Sequence, residues 1–150
     1  MNATDHNGWS PMHEAVINGH TEIVKFLIKY TNYPNQPDFE GRTPIGLAAR
    51  HGHSEIVKIL AKVSNNPNSN RWTPIHYAAN NGHVEIVNIL LAYTDSPNAP
   101  DYYSWTPLDL AMNKGNKEIV DLLERHISRK KRKPFERFVA RSLMKYGKFC

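Results

Sequence analysis

Trp72-Thr73-Pro74-Ile75-His76-Tyr77-Ala78-Ala79-Asn80-Asn81-Gly82-His83-Val84-Glu85-Ile86-Val87-Asn88-Ile89-Leu90 encodes a pair of antiparallel helices. Thr73 can cap a helix N-terminus with its hydroxyl, and Pro74 suits the first helical position, where a missing N–H costs nothing. Gly82 supplies the backbone freedom that ends the first helix. Glu85 then opens an apolar run, and its charge suits the positive end of a second helix.

Working outward, the same punctuation recurs. Ser10-Pro11-Met12, Thr43-Pro44-Ile45 and Thr106-Pro107-Leu108 repeat the start, with Pro11 to Pro44 spaced by 33 residues, Pro44 to Pro74 by 30 and Pro74 to Pro107 by 33. Gly19, Gly52 and Gly115 repeat the break, and Glu22, Glu55 and Glu118 each open an Ile-Val run. One unit of about 33 residues, used four times, predicts an all-α solenoid. Stretches rich in Pro and Asn, such as Thr31 to Pro37 and Thr94 to Pro100, cannot extend the helices and are expected to form connecting fingers. The link into the third unit is three residues shorter, so a shorter second finger is expected.

With Asp38-Phe39-Glu40-Gly41-Arg42-Thr43-Pro44-Ile45 and the stretch from Trp72 to Ala79 followed by Gly82-His83, the chain resembles the ankyrin repeat family. The resemblance runs from about Asp5 to His126. It implies four repeats, at about 5–37, 38–67, 68–100 and 101–126, each a β-turn finger followed by a helix-turn-helix. Arg71 and Ser104 stand where the turns of the first two repeats have Gly8 and Gly41, so those two turns are expected to differ in shape. Gly46 and Asp109 replace the histidine found at His13 and His76.

The chain of 150 residues, 40% hydrophobic and 10% aromatic, fits one globular domain. No apolar stretch approaches the roughly 18 residues that span a membrane, and Met1 to His6 lacks the features of a signal peptide. An intracellular location, nuclear or cytoplasmic, is expected. The one cysteine, Cys150, excludes an intrachain disulfide and is misplaced for prenylation.

Charge divides the chain in two. Residues 1–126 carry 10 Lys/Arg against 13 Asp/Glu, a net of −3, whereas 127–150 carry 9 basic residues against Glu136, a net of +8. The tail opens on Arg129, Lys130, Lys131, Arg132 and Lys133, a run that is solvated or meets something anionic. It reads as a nuclear localisation signal, as a basic linker at the negative end of the last helix, or as a contact for nucleic acid or anionic membrane. Beyond it, Pro134 suits a first helical position. Phe135, Phe138, Val139, Ser142, Leu143 and Tyr146 then recur at helical steps, predicting a short amphipathic helix that caps the last repeat, lies on a membrane or docks on a partner.

Eight histidines invite a metal reading, but their placement answers it. His13 and His76 share one slot, and His20, His53 and His83 share another, one repeat apart rather than at the close spacings of a zinc site. In the resembled family such histidines bond neighbouring backbone. No phosphate loop, CxxC pair or nucleophile elbow occurs, so no metal, cofactor or catalytic residue is assigned and an enzyme is not expected.

The resemblance implies a binding surface for a protein or peptide partner, built from the turn tips and the concave face. Its variable slots include Trp9, Phe39, Arg42, Arg50, Trp72, Tyr102, Tyr103, Trp105 and Lys114. Trp9, Arg42, Trp72 and Trp105 all precede a Thr/Ser-Pro, forming a row of residues enriched at interface hot spots. The tryptophans serve equally as partner anchors or as rings stacked on the next repeat. Tyr102 and Tyr103, adjacent at a tip, cannot both pack inward easily; Phe39 joins their patch, and Arg42 is expected to pair a partner carboxylate. The alternative assigns binding to the basic tail, with the repeats as scaffold. Oligomeric state is left open.

Overall fold

Each Ser/Thr-Pro pair starts a helix in the computed structural model, which describes residues 3–63 and 71–146, with side chains as far as Lys131. The helices run α1 (Pro11–Ile17), α2 (Thr21–Ile28), α3 (Pro44–His51), α4 (Ser54–Ala61), α5 (Pro74–Asn81), α6 (Val84–Leu91), α7 (Pro107–Asn113) and α8 (Lys117–Tyr146). The N-caps are built as the sequence implies: Thr43 Oγ1 accepts from the Gly46 amide at 3.2 Å, and Thr106 Oγ1 from the Asp109 amide at 3.1 Å. Gly52 and Gly82 end α3 and α5 in the left-handed conformation, with φ of 81° and 75°.

The odd-numbered helices pack in sequence as one layer, α1 on α3 on α5 on α7, and the even-numbered ones as a second behind it. Between the layers runs a ladder of equivalent side chains: Ile56, Ile86 and Ile119, then Leu60, Leu90 and Leu123, all at 0–1% exposure. Each is covered by its own repeat and the one before. In α2, Ile23 stands at the position of Ile56 and Leu27 at that of Leu60; with no repeat before them, Ile23 is 49% exposed and Leu27 only partly buried. Burial here is therefore a property of the neighbour, as stacked repeats require.

Three fingers, among the described residues, use one device. An aspartate opens the turn, and its Oδ1 accepts the amides two and four residues on: Asn7 and Trp9 for Asp5, Glu40 and Arg42 for Asp38, Tyr103 and Trp105 for Asp101, all at 2.8–2.9 Å. The turns at Arg71 and Ser104, expected to differ, keep the left-handed slot, with φ of 60° and 65° against 77° at Gly41. At Ser104 the Asp101 bonds fix the turn strongly enough to hold an L-residue in a conformation costing about 1 kcal/mol. At Gly46 a Cβ would sit 3.1 Å from Thr43 Oγ1 and 3.3 Å from the Tyr77 ring of the next repeat, both tighter than ordinary contact. Asn35 and Asn98 in the fingers accept the Ile45 and Leu108 amides at 2.9 and 3.1 Å, tying each finger to the helix it precedes.

At its C-terminus the structure departs from expectation. A separate helix starting at Pro134 is not formed; α8 runs unbroken from Lys117 through the basic run and Pro134 to Tyr146, without a break near 126. Proline removes one intrahelical N–H bond, and the helix carries that loss. Lys130 of the basic run is anchored to the preceding finger, its Nζ donating to Thr94 O at 3.0 Å and Asp95 O at 2.8 Å. The side chains of Arg132 and Lys133, the second finger at 64–70, and Cys150 lie outside what the structure describes.

Candidate functional site: the turn tips and concave face

Four of the eight histidines are bonded to backbone. His13 Nδ1 accepts the Ser10 amide at 3.1 Å, so its proton sits on Nε2, which donates to Arg42 O at 3.2 Å in the next repeat. His76 repeats this with the Thr73 amide at 3.1 Å and Trp105 O at 3.3 Å. Burial, only partly opposed by the backbone bond to the next repeat, holds both imidazoles below their usual pKa. His53 and His83 reach back instead, donating from Nε2 to Ile17 O at 3.2 Å and Arg50 O at 3.1 Å. Asn116 takes that role in the fourth repeat, donating to Ala79 O at 3.0 Å. Asn18 and Asn81 bond Glu14 O and Tyr77 O, at the ends of their own helices.

The row of Trp9, Arg42, Trp72 and Trp105 is divided. Trp9 stacks on His13 with centroids 5.7 Å apart, and its Nε1 donates to Asp38 Oδ2 of the next finger at 3.0 Å. Trp72 stacks on His76 at 5.9 Å and donates to Asp101 Oδ2 at 2.7 Å. Both rings are half-buried clamps between repeats. Burial alone would raise the two aspartate pKa values. At Asp38 it is outweighed by the bonds from Arg42 and Trp9, and at Asp101 by those from the Trp105 amide, Trp72 and the Tyr103 amide, so both carboxyls are held below the usual range.

Arg42, expected to pair a partner carboxylate, is paired within the chain. Its Nε donates to Asp38 Oδ2 at 2.6 Å, its Nη1 pairs with Glu40 at 2.9 Å, and its Cζ lies 5.5 Å from the Trp9 ring centroid. What the tips present outward is different: Phe39 is 78% exposed, Tyr102 66%, Tyr103 79% and Trp105 43%. Arg71, at the preceding tip, lies over the Tyr102 ring at 5.7 Å. Arg50 and Lys114, at the C-terminal ends of α3 and α7, are exposed.

Trp72, Asp101, Tyr103, Trp105, Leu110 and Asn113 line an open hollow of about 430 Å³ between the third and fourth tips. The sequence placed Trp72 and Trp105 in one row and Tyr103 at a tip, but Asp101 was missed, because it reads as a turn residue. Its signal was present, since the aspartate lies 29 residues after the tryptophan at both Trp9–Asp38 and Trp72–Asp101.

The layered helix pairs, aspartate-opened fingers and backbone-bonding histidines define a helix-turn-helix repeat solenoid. A family model described as ankyrin repeats, three copies, matches residues 1–71 and again 62–133, and the chain belongs to that family. No curated protein matches it. Ankyrin repeats are in general protein-interaction modules and typically non-enzymatic. No helix among the described residues is long and apolar enough to cross a membrane.

Proposed function

We propose that this chain is a non-enzymatic recognition module that docks a peptide or protein across its turn tips and concave face, anchored at the third and fourth repeats. The observation that carries the reading is the exposure of Tyr102, Tyr103 and Trp105 on one finger, held rigid by Asp101 beneath them. Large rings on a preorganised turn lose little entropy on binding and are typical hot-spot residues. Phe39, Arg50 and Lys114 extend the contact, while Trp9, Trp72 and Arg42 support it from within.

The test is capture of partners at high salt by the wild-type chain and by a Tyr102→Ala, Tyr103→Ala, Trp105→Ala variant. Loss of affinity of about a hundredfold or more, with unchanged helical circular dichroism, is expected; retention of the same partners by the variant refutes the reading.

Exposed Arg129 and Lys131, flanking the anchored Lys130 on the long α8, favour one second reading, in which the basic segment binds nucleic acid or an anionic membrane or serves in nuclear import. Binding of that kind weakens steeply with salt. Arg129→Glu with Lys131→Glu separates the two, because it abolishes tail-driven binding and leaves docking at the tips intact.

A further inference from the structure

The chain contains two versions of one constellation. In the first, Trp9 and Arg42 both donate to the same oxygen of Asp38, the guanidinium lies over the indole, and Glu40 closes the outer side. In the second, Trp72 donates to Asp101 through the same atoms at 2.7 Å. The slot of Arg42 is now held by Trp105, however, and the slot of Glu40 by Tyr103. Where the first site has an internal ion pair, the second has two aromatic rims and the open hollow. Among the described residues no cation forms an ion pair with Asp101, although its carboxylate is buried and held ionised.

From this pairing we infer that the hollow formed by Trp72, Asp101, Tyr103 and Trp105 is a binding site for a weakly hydrated organic cation, the side chain of an arginine or a methylated lysine in a peptide partner. The inference rests on the docking proposed above and names what the docked segment carries. Three aromatic side chains lining a hollow beside a carboxylate attract such a cation by the ring quadrupole and by charge. Arg42 over Trp9 and Asp38 shows the bound state within the same molecule. A plain lysine ammonium is disfavoured, since it must shed tightly held water to enter an aromatic site.

The experiment is a nuclear magnetic resonance titration of the full chain, following the indole N–H of Trp105. The probes are acetylated, amidated glycine tripeptides with arginine, trimethyl-lysine, lysine, citrulline or norleucine in the centre. Arginine or trimethyl-lysine should bind about tenfold or more tighter than its neutral counterpart, and whichever binds tighter identifies the source. Tyr103→Ala should weaken binding several-fold, whereas Tyr33→Ala, at a distant exposed ring, should not. Trp105→Arg combined with Tyr103→Glu rebuilds the internal pair of the first site and should abolish binding with the fold retained; here the readout is the indole of Trp72.

Equal shifts from neutral and cationic probes overturn the cation site and leave docking at the tips standing. An indole unmoved by every probe also overturns it, with docking then decided by the capture experiment alone.

Discussion

Replacing Trp72 by Phe should cost the fold more than the same change at Trp9, although the two tryptophans occupy one slot and stack alike on a histidine. Each change removes part of a half-buried ring, about 1 kcal/mol if some 40 Å² of apolar contact is lost at about 25 cal/mol per Å². Each also deletes an indole N–H bonded to a buried carboxylate, and hydrogen bonds to charged groups contribute about 1.5–3 kcal/mol. At Asp38 the vacated oxygen keeps Arg42 Nε at 2.6 Å, whereas among the described side chains no other is bonded to Asp101 Oδ2. Trp72→Phe is therefore expected to lose about 3 kcal/mol and Trp9→Phe about 1–2, read from urea unfolding followed by circular dichroism. The pH dependence adds a second reading. A carboxyl whose folded pKa is depressed gives stability that is full above its unfolded value near 3.9 and is lost as pH falls through the folded value. Removing a donor from Asp101 moves that folded value back up, so the gap between wild type and Trp72→Phe should narrow below about pH 4. Equal losses for the two variants, or a gap that does not change in acid, would refute the clamp.

Two further outcomes follow from the same contacts. Ser104→Gly, at φ 65°, should stabilise by about 0.5–1 kcal/mol and raise the melting temperature by roughly 1–4 °C, while Arg71→Gly should gain less because it gives up the contact with Tyr102. His13 and His76 have folded pKa values below 6.5. The unfolded chain therefore binds the extra protons, and stability should be greatest above about pH 6.5 and decline as pH falls below it. His76→Gln, able to accept from Thr73 and donate to Trp105 O, should remove roughly half of that decline in a urea series at stepped pH.

The helix pairs and their starts were legible because each depends on residues within one repeat, whereas the bonds that the paired-slot histidines make across repeats followed from the resemblance. Thr43 caps with the amide three residues on, and His13 accepts from Ser10. The side to which each tryptophan turns was not legible from its slot, since the answer lies in an aspartate of the next repeat. Exposure of Ile23 was hidden for the same reason: its local sequence matches that of Ile56, and only the missing neighbour distinguishes them. Arg71 and Ser104 were misread because a side-chain preference for negative φ was set against nothing, while at Ser104 the turn carries the Asp101 bonds. Pro134 was read as a start because proline is common there; it lies instead within a helix whose basic segment is already fastened at Lys130.

A repeated fold turns such differences into an internal comparison. When one slot changes and its surroundings do not, the changed residue alone accounts for the altered chemistry. Asp38 and Asp101 close the same turn, accept from the same tryptophan atom and are buried to the same degree, at 5% and 6% exposure. The four residues that follow differ, Phe39-Glu40-Gly41-Arg42 against Tyr102-Tyr103-Ser104-Trp105, and those two and four positions on change the carboxylate's surroundings, a Glu–Arg pair in one finger and Tyr–Trp in the other. The first finger has satisfied its own carboxylate with a side chain of this chain and presents Phe39 to solvent. The second has exchanged that ion pair for aromatic surface and keeps an ionised oxygen beside it. Stability alone does not require the exchange, because the Glu–Arg solution closes the same turn. The aromatic solution is understood once the missing cation is supplied from outside.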